Sequence, residues 1–231
     1  MQLQEVMSQL KSLGTEQTRK TYRRHGSGDN VFGVSFADLY KIAKKIKCNH
    51  ELACQLWETQ NIDAQSLATM IFDPKKLDEK TSAKWIGSLD YHALGMLFSG
   101  CLAKSTFSRK VIDEWTESDN QYLRQAGYDT LAQILKSEND LSDQLCIKHL
   151  EKIECEISTA PNRVRYSMNG ALIAIGVYKP NLTESVLKSA DRIGKVEVDH
   201  GDTSCKTPDA RAYIMKALSR KSKTKARVPS C

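Results

Sequence analysis

Apolar residues recur at spacings of three and four along nearly the whole chain, and no segment alternates convincingly with period two. Leu3, Val6, Met7, Leu10 and Leu13 set the pattern, and Gly14 closes that segment as a C-cap glycine. A second helix follows Thr15 and ends near Gly26, and GSGDNVFGV (26–34) reads as a loop. Ser35 caps the next helix, with Asp38 completing a capping box and Phe36, Leu39, Ile42, Ala43 and Ile46 as the apolar face. Further starts fall at Asn49, Asp63, Asp90, Thr106, Ser118, Asp140, Asn181 and Thr207, and Pro161 and Pro208 suit first helical turns. Only 12 glycines and 5 prolines occur among 231 residues, fewer turn residues than a β-rich fold usually needs. The fold class predicted is all-α.

Helix starts come roughly every 20 residues with short links. Paired, they approach the period of about 40–47 residues found in HEAT-type arrays. A plain helical bundle is the alternative, since self-similarity between the pairs is weak. At 40% apolar residues the chain can bury a substantial core, which excludes global disorder. No run approaches the ~18 apolar residues of a membrane span, and the N-terminus has no apolar core of a secretory signal. Seven cysteines, an odd number with no CxxC pair, read as reduced thiols in a cytoplasmic protein.

The net charge of +6 permits a nucleic-acid partner. Most of it comes from Arg220, Lys221, Lys223, Lys225 and Arg227, so residues 1–219 are expected to form one domain and 220–231 a disordered basic tail. Arg163, Arg165 and Tyr166 form a basic-aromatic cluster at a helix start, where free N–H groups favour phosphate. Lys206 beside Thr207 offers the same chemistry. The longest link, IGKVEVDHGDTSCK (193–206), carries Asp199, His200, Asp202 and Cys205, but their spacing matches no closed metal site. A hydrogen-bonded surface loop is expected there, with a short strand open at Lys195 to Val198. Neither a cofactor nor a metal is expected.

VIDEWTESDNQYLRQAGYDTLAQIL (111–135) contains a W-x-x-S-D-N-x-x-L-R core from Trp115 to Arg124. YRRHGSGDNVFGVSFADLYKIAKKI (22–46) gives helix, loop and helix, with Gly33 before Ser35; NRVRYSMNGALIAIGVY (162–178) and KTPDARAYIMKAL (206–218) follow. In this order the stretches resemble the AlkD-type DNA alkylation-repair glycosylases, over about residues 5–218. The resemblance implies a curved, ARM-like superhelix of HEAT-like repeats, a monomer, that cradles duplex DNA, damaged or distorted, on a concave basic face. It also implies excision of cationic N3- or N7-alkylpurines. The alkylated base already carries the positive charge that activates its glycosidic bond, so one carboxylate near the sugar suffices.

Arg124 matches the family's phosphate-contacting arginine, and Tyr22 a position that approaches DNA. The family's catalytic segment, W-D-x-V-D, corresponds here to LDYHA (89–93). Asp90 matches the first Asp, but Leu89 replaces the Trp, Ala93 replaces the catalytic Asp, and the later family Trp falls near Ala171. Asp90 is therefore the candidate catalytic carboxylate; it is equally suited to cap the helix starting at Tyr91. Trp85 offers a displaced aromatic or a core residue. Three readings remain: a glycosylase with altered residues, a non-catalytic relative that binds DNA by shape, and a helical scaffold for proteins.

Overall fold

The predicted periodicity is realised as helices, and their starts are set by side chains that occupy free N–H groups. In the computed structural model, residues 1–89, 91–137 and 140–226 are described, with side chains as far as Arg220. The described residues contain helices α1 (Leu3–Leu13), α2 (Glu16–Arg24), α3 (Phe36–Ile46), α4 (His50–Glu58), α5 (Ile62–Ile71), α6 (Glu79–Gly87) and α7 (His92–Leu102). There follow α8 (Ser108–Lys110), α9 (Gln121–Ser137), α10 (Asp143–Glu156), α11 (Asn162–Tyr178), α12 (Thr183–Ile193) and α13 (Ala210–Ala226), and no strand. Residues 195–198, open to a strand, are not one. Among the described residues no helix is long and apolar enough to cross a membrane.

Thr15, Ser35 and Asn49 cap as expected. Three other starts move by two residues to a neighbouring polar side chain. Asn61, not Asp63, caps α5. Asn120, not Ser118, serves α9, accepting from the Tyr122 and Leu123 amides at 2.9 and 3.2 Å. Ser142, not Asp140, caps α10. The stretch expected as an unstructured tail is helical as far as Ala226, in keeping with the high helix propensity of its Lys and Ala residues; residues 227–231 lie outside the described residues.

The chain divides into two units, one formed by Met1–Thr130 with His200–Ser204 and the other by Leu131–Asp199 with the segment from Cys205. In the first, α5 packs on α3, α4 and α7. Its centre is aromatic: Trp57 lies 5.0 Å from Phe98 and stacks on Trp85 at 5.3 Å, and Phe72 stacks on Trp85 at 5.6 Å. Such pairs add about 0.5–1.5 kcal/mol each beyond burial. Cys101 donates its thiol to the Thr69 carbonyl, and burial pushes it up to about 12, so it is inert.

The loop ahead of α3 is held by the start of α5. The Asp63 carboxylate, fully buried, accepts the amides of Phe32, Gly33 and Val34 at 2.6, 3.0 and 2.8 Å. Burial raises the Asp63 pKa against the downward pull of these three donors. Asn61 donates to Asn30, and Gly33 (φ +83°) lies against the first turn of α2.

In the second unit α11 is central, buried on most sides by α10, α12 and α13. Lys179, only 9% exposed, donates to the Leu141 carbonyl and pairs with Asp143 at 3.4 Å. On the surface, Glu154 accepts from Arg192 and from Ser189. The Arg192 guanidinium, then the Ser189 hydroxyl, hold the Glu154 carboxyl down at about 2.

Glu154→Gln is therefore expected to destabilise this unit at pH 7 by up to about 1 kcal/mol, the range of exposed ion pairs. The folded-state pKa lies below the unfolded one, so the contribution is complete above pH 4.5 and is lost as pH falls towards about 2. Urea unfolding of both proteins followed by circular dichroism checks it; a difference that persists at pH 2 would count against the assignment.

Side-chain ties that reach past an intervening helix share a spacing. Asn61 and Asn30 are 31 residues apart, Cys101 and Thr69 32, Lys110 and Glu79 31, Asn120 and Gly87 33. In the second unit Arg165 and Glu197 are 32 apart, Ser189 and Glu154 35, Lys179 and Leu141 38.

Candidate nucleic-acid interface

The second unit carries a groove of about 460 Å³ lined by the end of α9, one face of α11 and one face of α13. Gly170, Ala174, Ala217 and Ala132 leave it open because their side chains are small. Its rim holds Lys136, Lys216 and Arg220, together with Tyr178 and Tyr213, and no carboxylate lines it. Tyr213 is 52% exposed. Lys136 and Lys216 are exposed and have no ion pair among the described residues, so their ammonium groups are available to an anion. A cation-rimmed trough with exposed phenol faces suits a phosphate backbone and its neighbouring sugars or bases.

Sequence reasoning missed most of this groove. Of its lining residues the sequence points only to Arg220, as part of the basic tail. Tyr213, Lys216 and Arg220 stand at i, i+3 and i+7 of one helix, and that spacing was the available signal. Lys136 comes from a helix some 80 residues earlier, and nothing local joins it to the others.

The predicted contact residues are distributed between the two units. Arg124 lies in the first turn of α9, in the first unit, and is half-buried. Arg163, Arg165 and Lys206 belong to the second unit. Arg163 is half-exposed and Lys206 exposed, and neither has a hydrogen-bonded partner among the described residues. Arg165 is engaged in the fold: Nη1 donates to the Glu197 carbonyl at 2.9 Å and Nη2 to the Ala160 carbonyl at 3.1 Å. It pins the long link to the start of α11, where Asn162 also exchanges two hydrogen bonds with the Asp199 backbone. Among the described residues no group of three His, Cys, Asp or Glu side chains could hold a metal ion.

Tyr22 points into the core of the first unit. Its hydroxyl donates to the Val34 carbonyl at 2.7 Å and its ring meets Phe36 edge-on at 6.2 Å. Burial raises its pKa far above the ordinary tyrosine value, so it stays protonated. Asp90 lies outside the described residues. Its neighbour Leu89 is buried, and Ala93 is half-buried in the first turn of α7. No carboxylate lies between Tyr91 and Arg109. Trp85 takes the core alternative in part, stacked as described, with its indole N–H donating to Glu58 at 2.9 Å.

The W-x-x-S-D-N-x-x-L-R stretch has a structural explanation. Trp115 is buried at the end of a π-helical turn, Val111–Trp115. Asn120 caps α9 with one side of its amide and ties the other to the Gly87 carbonyl at 2.8 Å. Arg124 is thereby carried on a helix start fixed from two directions.

Comparison with known proteins places this geometry. An uncharacterized protein of Listeria monocytogenes is 32% identical over 219 residues, covering 92% of this chain and 96% of that one. One of Listeria innocua is equally similar over the same extent. Among solved structures, one is 31% identical and covers 96% of this chain and 95% of its own, with a TM-score of 0.88. It is described as a member of a new family of proteins related to the HEAT-like repeat DNA glycosylases, with affinity for branched DNA structures. The fold is accordingly all-α and of the HEAT-like repeat class. Residues 6–214 match the sequence profile of the DNA alkylation repair enzymes, and the chain belongs to that family.

Proposed function

We propose that this protein binds duplex-containing DNA, branched or otherwise distorted, by its backbone, and that it does so without excising a base. The carrying observation is the groove of the second unit, with Lys136, Lys216 and Arg220 around a floor of small residues and no carboxylate among them. Phosphate contacts of this kind position a protein on DNA without reading base sequence. Arg124, Arg163 and Lys206 add contacts in the same chemistry. The structural relative's affinity for branched DNA supports the choice of ligand. The Ala93 side chain supports the absence of chemistry, since a methyl group cannot stabilise an oxocarbenium-like sugar.

The alternative is excision of a cationic alkylpurine, and Asp90 is the carboxylate that would have to serve it. Release of N7-methylguanine and N3-methyladenine from methylated duplex separates the two. Tight binding with release at the spontaneous rate is the expected result, and release that disappears in Asp90→Asn would establish the alternative.

Each phosphate contact contributes about 0.9 to the slope of log K against log salt on B-DNA. Lys136→Ala/Lys216→Ala is therefore expected to lower the slope by about 2 on a four-way junction, and Arg124→Ala by about 1. Titration of a labelled junction at several salt concentrations measures both. Unchanged slopes would remove these residues from the interface.

A further inference from the structure

We infer that a second cleft, confined to the first unit, receives an unpaired nucleobase that carries an amino group. The cleft measures about 550 Å³, inside the roughly 300–1,000 Å³ typical of small-ligand sites. Trp57, Gln65 and Ile62 form its buried floor, Trp85 contributes indole surface, and Glu58, Gln60, Lys84 and the 27–30 loop make the rim.

Gln65 is the decisive residue. It is 7% exposed, and its Nε2 donates to the Trp57 carbonyl at 3.3 Å, which fixes the amide orientation. Its Oε1 is left with no partner among the described residues, in a residue that lines the cleft. That oxygen is open to the cleft and not sealed in the core, so it can accept a hydrogen bond from a bound group. Glu58 accepts the Trp85 indole N–H on one oxygen, and its other oxygen is unpartnered among the described residues. The cleft thus offers one acceptor on its floor and one at its rim, beside a flat aromatic wall.

Those features match the N–H edge and π-face of guanine, adenine or cytosine. Guanine suits them best, because a carboxylate can accept from its ring N–H and its amino group together. Lys84, exposed and without a partner among the described residues, stands at the rim where the adjoining phosphate would pass. Bases available for such a site are those already unstacked, for which extrusion is cheapest.

This inference rests on the proposed DNA binding, and the test separates the two. Binding of the full-length chain is measured to three labelled duplexes: fully paired, with one central unpaired guanine, and with an unpaired abasic residue in its place. The guanine bulge is expected to bind about tenfold tighter than either control and to quench tryptophan fluorescence. Gln65→Leu and, as an exposed substitution that spares the core, Glu58→Gln are each expected to remove that preference while leaving paired-duplex affinity unchanged. Equal affinity for the guanine and abasic bulges, or a preference that survives in both variants, overturns the cleft and leaves the DNA-binding proposal standing. Failure to bind any of the three duplexes overturns both.

Discussion

Asp63→Ala is expected to destabilise the first unit by about 3–5 kcal/mol, because each buried donor left unsatisfied costs about 1–3 kcal/mol. Three amides, those of Phe32, Gly33 and Val34, lose their acceptor at once. The sum is held below the maximum because the loop can shift and admit water. A domain's whole stability is about 5–15 kcal/mol, so this one carboxylate decides whether the unit folds fully. The variant should unfold at a lower urea midpoint with the same slope, as expected when stability changes and compactness does not. Trp57, Trp85 and Trp115 all lie in the first unit, so intrinsic fluorescence isolates its transition. Asp63→Asn should recover part of the loss, since one acceptor oxygen remains. A loss below about 1 kcal/mol in the Ala variant would show that the loop does not depend on this anchor.

Gly33→Ala should be nearly as damaging, for a reason that lies in the backbone. Gly33 has φ +83°, a conformation that costs an L-residue about 1–2 kcal/mol. A Cβ there would also sit 2.5 Å from the Thr15 carbonyl oxygen and 2.6 Å from the Arg19 amide nitrogen. Neither is the end of a flexible side chain, so α2 or the loop must move, which adds about 1–3 kcal/mol. A total of about 2–5 kcal/mol is expected, read by the same fluorescence midpoint. Because Gly33 donates to Asp63, the double variant should lose less than the two single losses together. Strict additivity would mean that the two substitutions do not act on one loop.

How much of this was legible from the sequence depended on how local the cause was. Helices were legible, because their apolar spacing is written within a few residues. Their starts were legible where one capping side chain stood alone, as at Ser35. They were misplaced where two competed, because the approach of the chain decides which of Asn61 and Asp63, or Ser118 and Asn120, reaches the free amides. The role of Arg165 could not be read, since its acceptor is a backbone carbonyl 32 residues away in a link without periodicity. The groove and the cleft were hidden for a related reason. Lys136 and Lys216, or Gln65 and Trp85, meet only after the helices have packed. The family, by contrast, was legible from the ordered motifs, although the best-defined of them turned out to owe its Trp and Asn to helix entry.

The recurrent spacing of the side-chain ties bears on how the protein is made. Ties spanning 31–38 residues reach over an intervening helix to an earlier segment of the same unit. A chain leaving the ribosome at about 5–20 residues per second completes such a span within seconds. The helices of the first unit can therefore tie back onto earlier ones while the C-terminal half is still unsynthesised. The growing edge of the array, where the last helix still lacks its successor, is the surface that nascent-chain chaperones would meet.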